Sequence, residues 1–484
     1  MKNLKILGRL CIVVFALTFM YCPSFGQERT SKIDKKDLKE FIKTLSSIQF
    51  AGRGIDNNGQ IKTQEYIVNR FNALHLAPFS SDGYLETFKV NQYSRGEVYL
   101  KTQNQKILRD FDRIIYGHIV QENEEKEWEV VYGGFGSEKE LKQIEVEGRV
   151  VLVIDPKEEY ACMRILQDRK AAGMILCIYD MKRFDYNKIT KKEMLIYKRC
   201  AIAERDDIQE SDSLDVESDE DNYSFFSVFA HGTEVKNIMG MSKQKLILLA
   251  NEKKIDEAPI ARVTIKTTIN ENTYETANVI GLIKGESDTS IIISAHYDHL
   301  GQVGKIYYPG ADDNASGIAA MLELAEEFAQ YEHLPYSMVF LATTAEEGGL
   351  IGSLYHTAQS GFDPEKVLCD INIDMISRCD EKLTDCKYLY CIGNDKSKML
   401  DSIVRQADAL FPSCSFDYSE NKSDHLSRSD SYYFDKKGIP TLLFFTGLHK
   451  DYHKPTDTME KINFDILENR VRLIAVVVQL LQSL

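Results

Sequence analysis

The chain has no positive excess to offer a nucleic acid. Lysine and arginine number 59 against 74 aspartates and glutamates, a formal net charge of −15, which argues against the basic face that such partners need. It also lacks an apolar run long enough for a membrane span. Residues 10–20 and 474–481 both fall short of the roughly 20 residues required. Ten cysteines are present, but none shows the close pairing of a thiolate zinc site. The acidic stretch 204–222 lacks the loop-and-glycine spacing of an EF-hand, so a solvated loop is expected there. There is no internal repeat and no long low-complexity tract. What remains is a globular chain, 43% hydrophobic and 484 residues long. That is more than one core usually serves, so two or three domains are expected.

Residues 1–26 read as a targeting segment. Lys2, Lys5 and Arg9 precede the apolar run 10–20, and Ser24-Phe25-Gly26 supplies small residues before Gln27. Cys22 raises a lipoprotein reading, but Thr18-Phe19-Met20-Tyr21 lacks the small residues expected before a lipidated cysteine. A cleaved signal is the better fit, leaving a mature chain near −18 in the periplasm or outside the cell. In that setting the eight cysteines beyond the segment are open to oxidation. Cys177 and Cys369 lie in apolar, strand-like runs and are expected free. Cys379, Cys386 and Cys391 are close enough in sequence for a local bridge.

The rest of the chain falls into two patterns. Residues 31–45 carry Leu38, Phe41, Ile42 and Leu45 on one helical face, and 60–74 carry Tyr66, Ile67, Phe71 and Leu74. Between them Ala51-Gly52-Arg53-Gly54 reads as a turn. From 95 to 270 short strand-like runs dominate, suggesting a separate β-rich module. From about Thr276 strands and helices alternate, with strands at 278–283, 291–295, 337–343, 367–376, 388–391 and 441–445. Helices are expected at 317–331, 350–359, 396–410 and 465–484. The fold class expected is therefore α/β: a mixed, largely parallel sheet flanked by helices, with a β-rich module inserted.

Ligands of such folds gather at the C-terminal ends of the strands, and the polar residues fall there. His296 and Asp298 end the strand 291–295. They stand two apart and share a side; an Asp beside a His ring can fix the tautomer that a metal needs. Asp312 and Asp313 occupy a Gly-bounded turn. Glu346 and Glu347 follow the strand 337–343, Asp374 closes 367–376, and His453 follows 441–445. Each alone is ordinary: a loop histidine, a turn aspartate, or acidic charge at a helix start. Together, two histidines and three or four carboxylates with no cysteine suit two zinc ions in open coordination. One carboxylate must bridge ions about 3.5–4 Å apart, and a spare one can act on the water between them.

Five blocks in order resemble the M28 family of zinc aminopeptidases: His296-Tyr-Asp298; Gly310-Ala-Asp312-Asp313-Asn314-Ala-Ser-Gly; Ala345-Glu346-Glu347-Gly-Gly-Leu-Ile-Gly-Ser; Asp374-Met; and Tyr452-His453-Lys-Pro-Thr-Asp-Thr. Residues 46–54 and Gly83-Tyr84 resemble the family's entry segment. Residues 95–270 resemble the protease-associated (PA) insert of many members, most clearly at Val151-Leu-Val-Ile and Lys170-Ala-Ala-Gly-Met-Ile-Leu. The resemblance implies a signal peptide at 1–26, a catalytic domain at 27–94 and 271–484, and the insert between. It implies an aminopeptidase acting on peptide or protein N-termini with two Zn2+. In it Asp313 bridges, His296 and Asp374 complete one site, and Glu347 and His453 complete the other. Glu346 is the general base, Asp298 supports His296, and Tyr452 borders the oxyanion. It also implies a cis peptide at Asp313-Asn314.

One departure is Ser431, where Ser429-Asp430-Ser431 stands for a family segment often reading Ser-Asp-His. That residue usually borders the substrate pocket, so altered preference is expected, with His425 and His449 as neighbouring candidates. Two other classes remain open. One is a one-zinc glutaminyl cyclase of related fold; the other is a non-catalytic, receptor-like ectodomain.

Overall fold

The computed structural model describes residues 32–484 except 82, 111, 117–123, 181, 183–198, 204–224 and 384. The expected signal segment and the acidic stretch 204–222 lie outside the described residues. The chain divides into two compact units. One comprises Met1–Val90, Cys200–Ser211 and Thr273–Leu484; the other comprises Asn91–Arg199 and Asp212–Asn272. Among the described residues no helix is long and apolar enough to cross a membrane.

The first unit begins with α1 (Lys35–Leu45), capped by the Asp34 side chain, which accepts from Lys36 N. Its predicted face of Leu38, Phe41, Ile42 and Leu45 is buried. In α2 (Asn58–Ala73), capped by Asn57, Ile67 and Phe71 are buried. The sheet then forms from β1 (Ala261–Ile283), of which 273–283 belong to this unit, and β2 (Ser287–His296). Next come α3 (Ala315–Phe328), β3 (Tyr336–Thr343), α4 (Ile351–Ala358) and β4 (Val367–Ile373). The chain finishes with β5 (Tyr388–Ile392), α5 (Lys398–Leu410), β6 (Ser415–Asp417), α6 (Ser431–Lys436), β7 (Thr441–Phe445) and α7 (Phe464–Leu481).

The strand order is β6-β5-β7-β4-β2-β3-β1. The central four, β7, β4, β2 and β3, run parallel. β1 joins β3 antiparallel and β5 joins β7 antiparallel, with β6 parallel to β5. Parallel neighbours need a crossover, normally helical, and α3 supplies it between β2 and β3. Side chains alternate across the sheet. Ile291, Ile293 and Ala295 of β2 enter the main core with residues of α1, α2, α3, α5 and α7. Ile292 faces the other side, toward Phe434 of α6 and Ile439. His296, in register with Ile292, therefore emerges on the face opposite the main core, at the end of the strand.

The expected strand 367–376 stops at Ile373. Asp374 N still bonds Phe444 O at 3.0 Å. Met375 then turns the chain with φ +49°, and its N–H goes to Asn314 Oδ1 at 3.1 Å. That side chain draws the chain out of the ladder.

The second unit has its own core, which includes Val130, Leu152, Ile175 and Leu246. Strands Glu124–Tyr132, Val150–Ile154, Gly173–Ile178 and Phe226–His231 are parallel neighbours in that order, and Ile114–Tyr116 adds antiparallel at one edge. Helices Glu159–Asp168 and Lys243–Glu252 accompany them, so the unit is α/β in detail.

Cys379 and Cys386 form a disulfide. Cys391, Cys177 and Cys369 are free and buried.

Candidate metal centre

The loops after β2, β3, β4 and β7 bring the predicted side chains together. His296 is the last residue of β2, and its Nδ1 lies 3.2 Å from the backbone oxygen of Asp298. That bond leaves Nε2 facing the site, 3.4 Å from Asp374 Oδ1 and 3.5 Å from Asp313 Oδ1. The other oxygen of Asp313 faces a second set. Asp313 Oδ2 lies 3.0 Å from His453 Nε2, which is 3.1 Å from Glu347 Oε2. Glu346 Oε2 stands 3.9 Å from His296 Nε2. Donor atoms around a tetrahedral zinc, with bonds of about 2.0–2.1 Å, stand about 3.3 Å apart, which is the spacing of both sets.

The supports explain why these loops hold still. Asp313 follows Asp312, whose oxygens are already engaged. Asp312 Oδ1 accepts from Ser377 N at 2.8 Å and Ser377 Oγ at 2.6 Å, and Oδ2 is 3.1 Å from His449 Nε2. Asp457 Oδ2 accepts from the N–H groups of Asp312 and Asp313 at 3.0 and 3.1 Å. The Asp313-Asn314 peptide is cis. Asn314 caps α3 through Gly317 N and donates to Ile373 O at 2.9 Å, tying the Asp313 turn to the strand that delivers Asp374. Gly310 has φ +53°, and a Cβ there would meet Asp313 O at 2.0 Å; the close approach requires glycine.

Some contributors differ from expectation. The Asp298 carboxylate is 3.8 Å from His296 Nδ1, too far for a hydrogen bond. Its oxygens accept instead from Glu346 N and Glu347 N at 3.1 and 3.4 Å. Ala345, with φ +56°, turns those two N–H groups toward it. Asp298 thus supports His296 through its carbonyl and the Glu-Glu pair through its side chain. Tyr452 lies at the site with its ring stacked 3.6 Å from that of His453. Ser431 is fully buried. A small cavity beside Asp374 is lined by Met375, Leu443, Phe445 and Leu448, with His425, Arg428, Ser429 and Tyr452 among its polar residues. His449 is occupied with Asp312.

Two residues that the sequence did not mark complete the site. His299 Nδ1 lies 2.6 Å from Glu347 Oε1. Arg53 is wholly buried. Its guanidinium donates to the carbonyls of Tyr297 (2.9 Å), Leu45 (2.9 Å), Pro309 (2.7 Å), Gly310 (2.8 Å) and Asp313 (3.1 Å). Only their neighbours in the sequence signalled them: His299 follows the His-Tyr-Asp motif, and Arg53 lay in what read as a plain turn.

The electrostatics call for cations. Burial pushes Asp298 up to about 7, with His296 opposing. Burial, with Glu347 and Asp374 close by, holds Glu346 well above the usual carboxylate value, again against His296. Asp313 Oδ2 and Asp374 Oδ1 are buried and accept no hydrogen bond among the described residues, although imidazole nitrogens stand 3.0 and 3.4 Å away. Buried carboxylates are normally paired or bound to metal. His296, Asp313 and Asp374 form one metal-competent group, and His299, Asp313 and Glu347 form another. The donor set, oxygen and imidazole without thiolate, fits zinc.

Residues 278–478 match Peptidase family M28. Relatives include the "Probable leucine aminopeptidase" of Trichophyton verrucosum, 24% identical over 237 residues that cover 47% of this chain and 62% of that one. "Aminopeptidase YwaD" of Bacillus subtilis is 26% identical over 254 residues, 50% of each chain. The chain thus spans about half to three-fifths of the length of these curated relatives. Among solved structures, "BSAP, a zinc aminopeptidase from Bacillus subtilis" superposes with a TM-score of 0.57 at 18% identity, covering 94% of this chain and 96% of that one. The two share a fold: a mixed, largely parallel sheet flanked by helices.

Proposed function

We propose that this chain is an exported aminopeptidase that removes N-terminal residues from peptides or proteins with two zinc ions. The observation that carries the reading is the division of Asp313. Oδ1 faces His296 and Asp374, and Oδ2 faces Glu347 and His453. One ion would be held by His296, Asp374 and Asp313, the other by Asp313, Glu347 and His453. When bound, such a pair lowers the pKa of a shared water and polarises the scissile carbonyl.

The chain's own residues do the rest. Glu346, 3.9 Å from His296 Nε2, takes a proton from the attacking water and later hands it to the leaving amine. The Asp298 carboxylate fixes the backbone from which Glu346 projects, and the Asp298 carbonyl holds the His296 ring. Tyr452, its ring stacked on that of His453, would donate its hydroxyl to the developing oxyanion. The small cavity lined by Met375, Leu443, Phe445 and Leu448 together with His425, Arg428, Ser429 and Tyr452 would receive the substrate's first side chain. A one-zinc cyclase would leave one of the two donor sets without an ion, and a receptor would have no use for Glu346. The unit of residues 91–199 and 212–272 is read as a protease-associated insert, and residues 1–26 as a cleaved signal.

A panel of aminoacyl-arylamides and unblocked peptides, assayed with and without chelator, tests the reading. Release of N-terminal residues that chelator abolishes and zinc restores is expected. Pyroglutamate formation from N-terminal Gln peptides, or no turnover with metal bound, would overturn it.

A further inference from the structure

His299 is the fourth imidazole or carboxylate group around Asp313 Oδ2 and Glu347, and nothing in the proposed ligand set uses it. Its side chain is fully buried. Its backbone N–H is held by Arg53 O at 3.3 Å, and its ring edge lies so close to Gly310 that a Cβ there would stand 2.6 Å from His299 Cδ2. The ring is therefore wedged between two loops and has little freedom to turn. Nδ1 lies 2.6 Å from Glu347 Oε1 and 3.8 Å from Asp313 Oδ2.

Two roles fit an imidazole in that place, and the distances separate them. Two ligands of one zinc stand about 3.3 Å apart; 2.6 Å is a hydrogen bond, and a short one. A metal-bound imidazole almost always donates its far N–H to a partner. His296 keeps that pattern, with Nδ1 at the Asp298 carbonyl. His299 Nε2 is buried with no hydrogen-bond partner among the described residues, so the proton belongs on Nδ1, where the carboxylate can accept it.

We infer that His299 is a positioning residue for the Glu347 metal position. Its Nδ1–H donates to Glu347 Oε1 and thereby points Oε2 at Asp313 Oδ2 and His453 Nε2. Residues 298 and 299 then act as a pair: Asp298 fixes the backbone of the Glu346-Glu347 turn, and His299 fixes the side chain of its second residue. This rests on the two-ion reading above. Hydrogen bonds of this kind to ligating groups are worth about 10–100-fold in metal affinity.

The test is a chelator-competition titration of the full chain with Zn2+, with bound metal counted by mass spectrometry and folding checked by circular dichroism. The wild type is expected to bind two ions. His299→Ala should weaken one of them about 10–100-fold and leave the other within a few-fold. His299→Gln, which keeps an N–H donor, should recover most of the loss. If His299→Ala does not fold, the glutamine variant alone decides: near-wild-type affinity supports the inference, and a loss of one ion overturns it. Two ions bound as tightly by His299→Ala as by the wild type would also overturn it, leaving the proposed function intact. A wild type that binds no zinc would remove both.

Discussion

Replacing Arg53 by methionine separates structural support from chemistry at this site. The guanidinium is fully buried and donates to five carbonyls, four of them in the loops that carry His296 and Asp313. A hydrogen bond from a charged donor contributes about 1.5–3 kcal/mol. Five would sum to more than the whole stability of many domains, so the values cannot add. The desolvation of the cation opposes them, and each orphaned carbonyl recovers part of its loss from entering water. The net cost of breaking such a buried charged network is about 3–5 kcal/mol. At about 2–4 °C per kcal/mol for large domains, differential scanning calorimetry should show the unit's Tm falling by about 6–20 °C. Arg53→Lys, with three donors on a single centre, should recover less than half. A Tm within about 2 °C of the parent for Arg53→Met would refute the reasoning.

Other expectations follow from single groups. Glu346→Gln should keep both metal ions while turnover falls about 10²–10⁴-fold; unchanged turnover in a metal-replete variant would exclude Glu346 as the general base. Glu323 of α3 is buried, accepts from Asp34 N at 2.8 Å and is pushed up to about 8 by burial. Its folded form holds a proton that the unfolded form releases near 4.5, so stability declines as pH rises from about 4.5 to 8, by roughly 4 kcal/mol. Glu323→Gln should therefore match the parent in Tm near pH 5 and exceed it near pH 8.5; a constant difference across that range contradicts this. Removing the Cys379–Cys386 bridge by double serine substitution should cost about 2 kcal/mol, the value for so short a loop, measurable by urea unfolding.

Much of the site was legible because the chemistry sits at the ends of apolar strands. The run 291–295 marks β2, and His296 follows it directly; the same logic delivers Glu346, Glu347, Asp374 and His453. What sequence could not give lies in loops, where no periodicity marks a residue's partners. Arg53 sits between glycines and looks like turn filler, yet five carbonyls converge on it from segments up to 260 residues away. His299 is one residue beyond the motif, and only the fold shows that its ring meets Glu347. Asp298 was expected to support the His296 ring with its carboxylate, which instead accepts from the backbone N–H groups of residues 346 and 347. Ser431 was expected near a pocket because its sequence block borders one; it is fully buried at the start of α6. The long strand β1 was read only in part. Its earlier half alternates polar with apolar residues, from Arg262 to Lys266, and lies in the other compact unit.

The central claim is that Asp313 holds one cation at each of its oxygens. Anomalous diffraction at the zinc edge, from crystals of the full chain grown with zinc, tests it directly. The account predicts two peaks about 3.5–4 Å apart, one beside His296 and Asp374 and the other beside Glu347 and His453. A single peak at saturating zinc, or two peaks of which neither lies within bonding distance of Asp313, would contradict it.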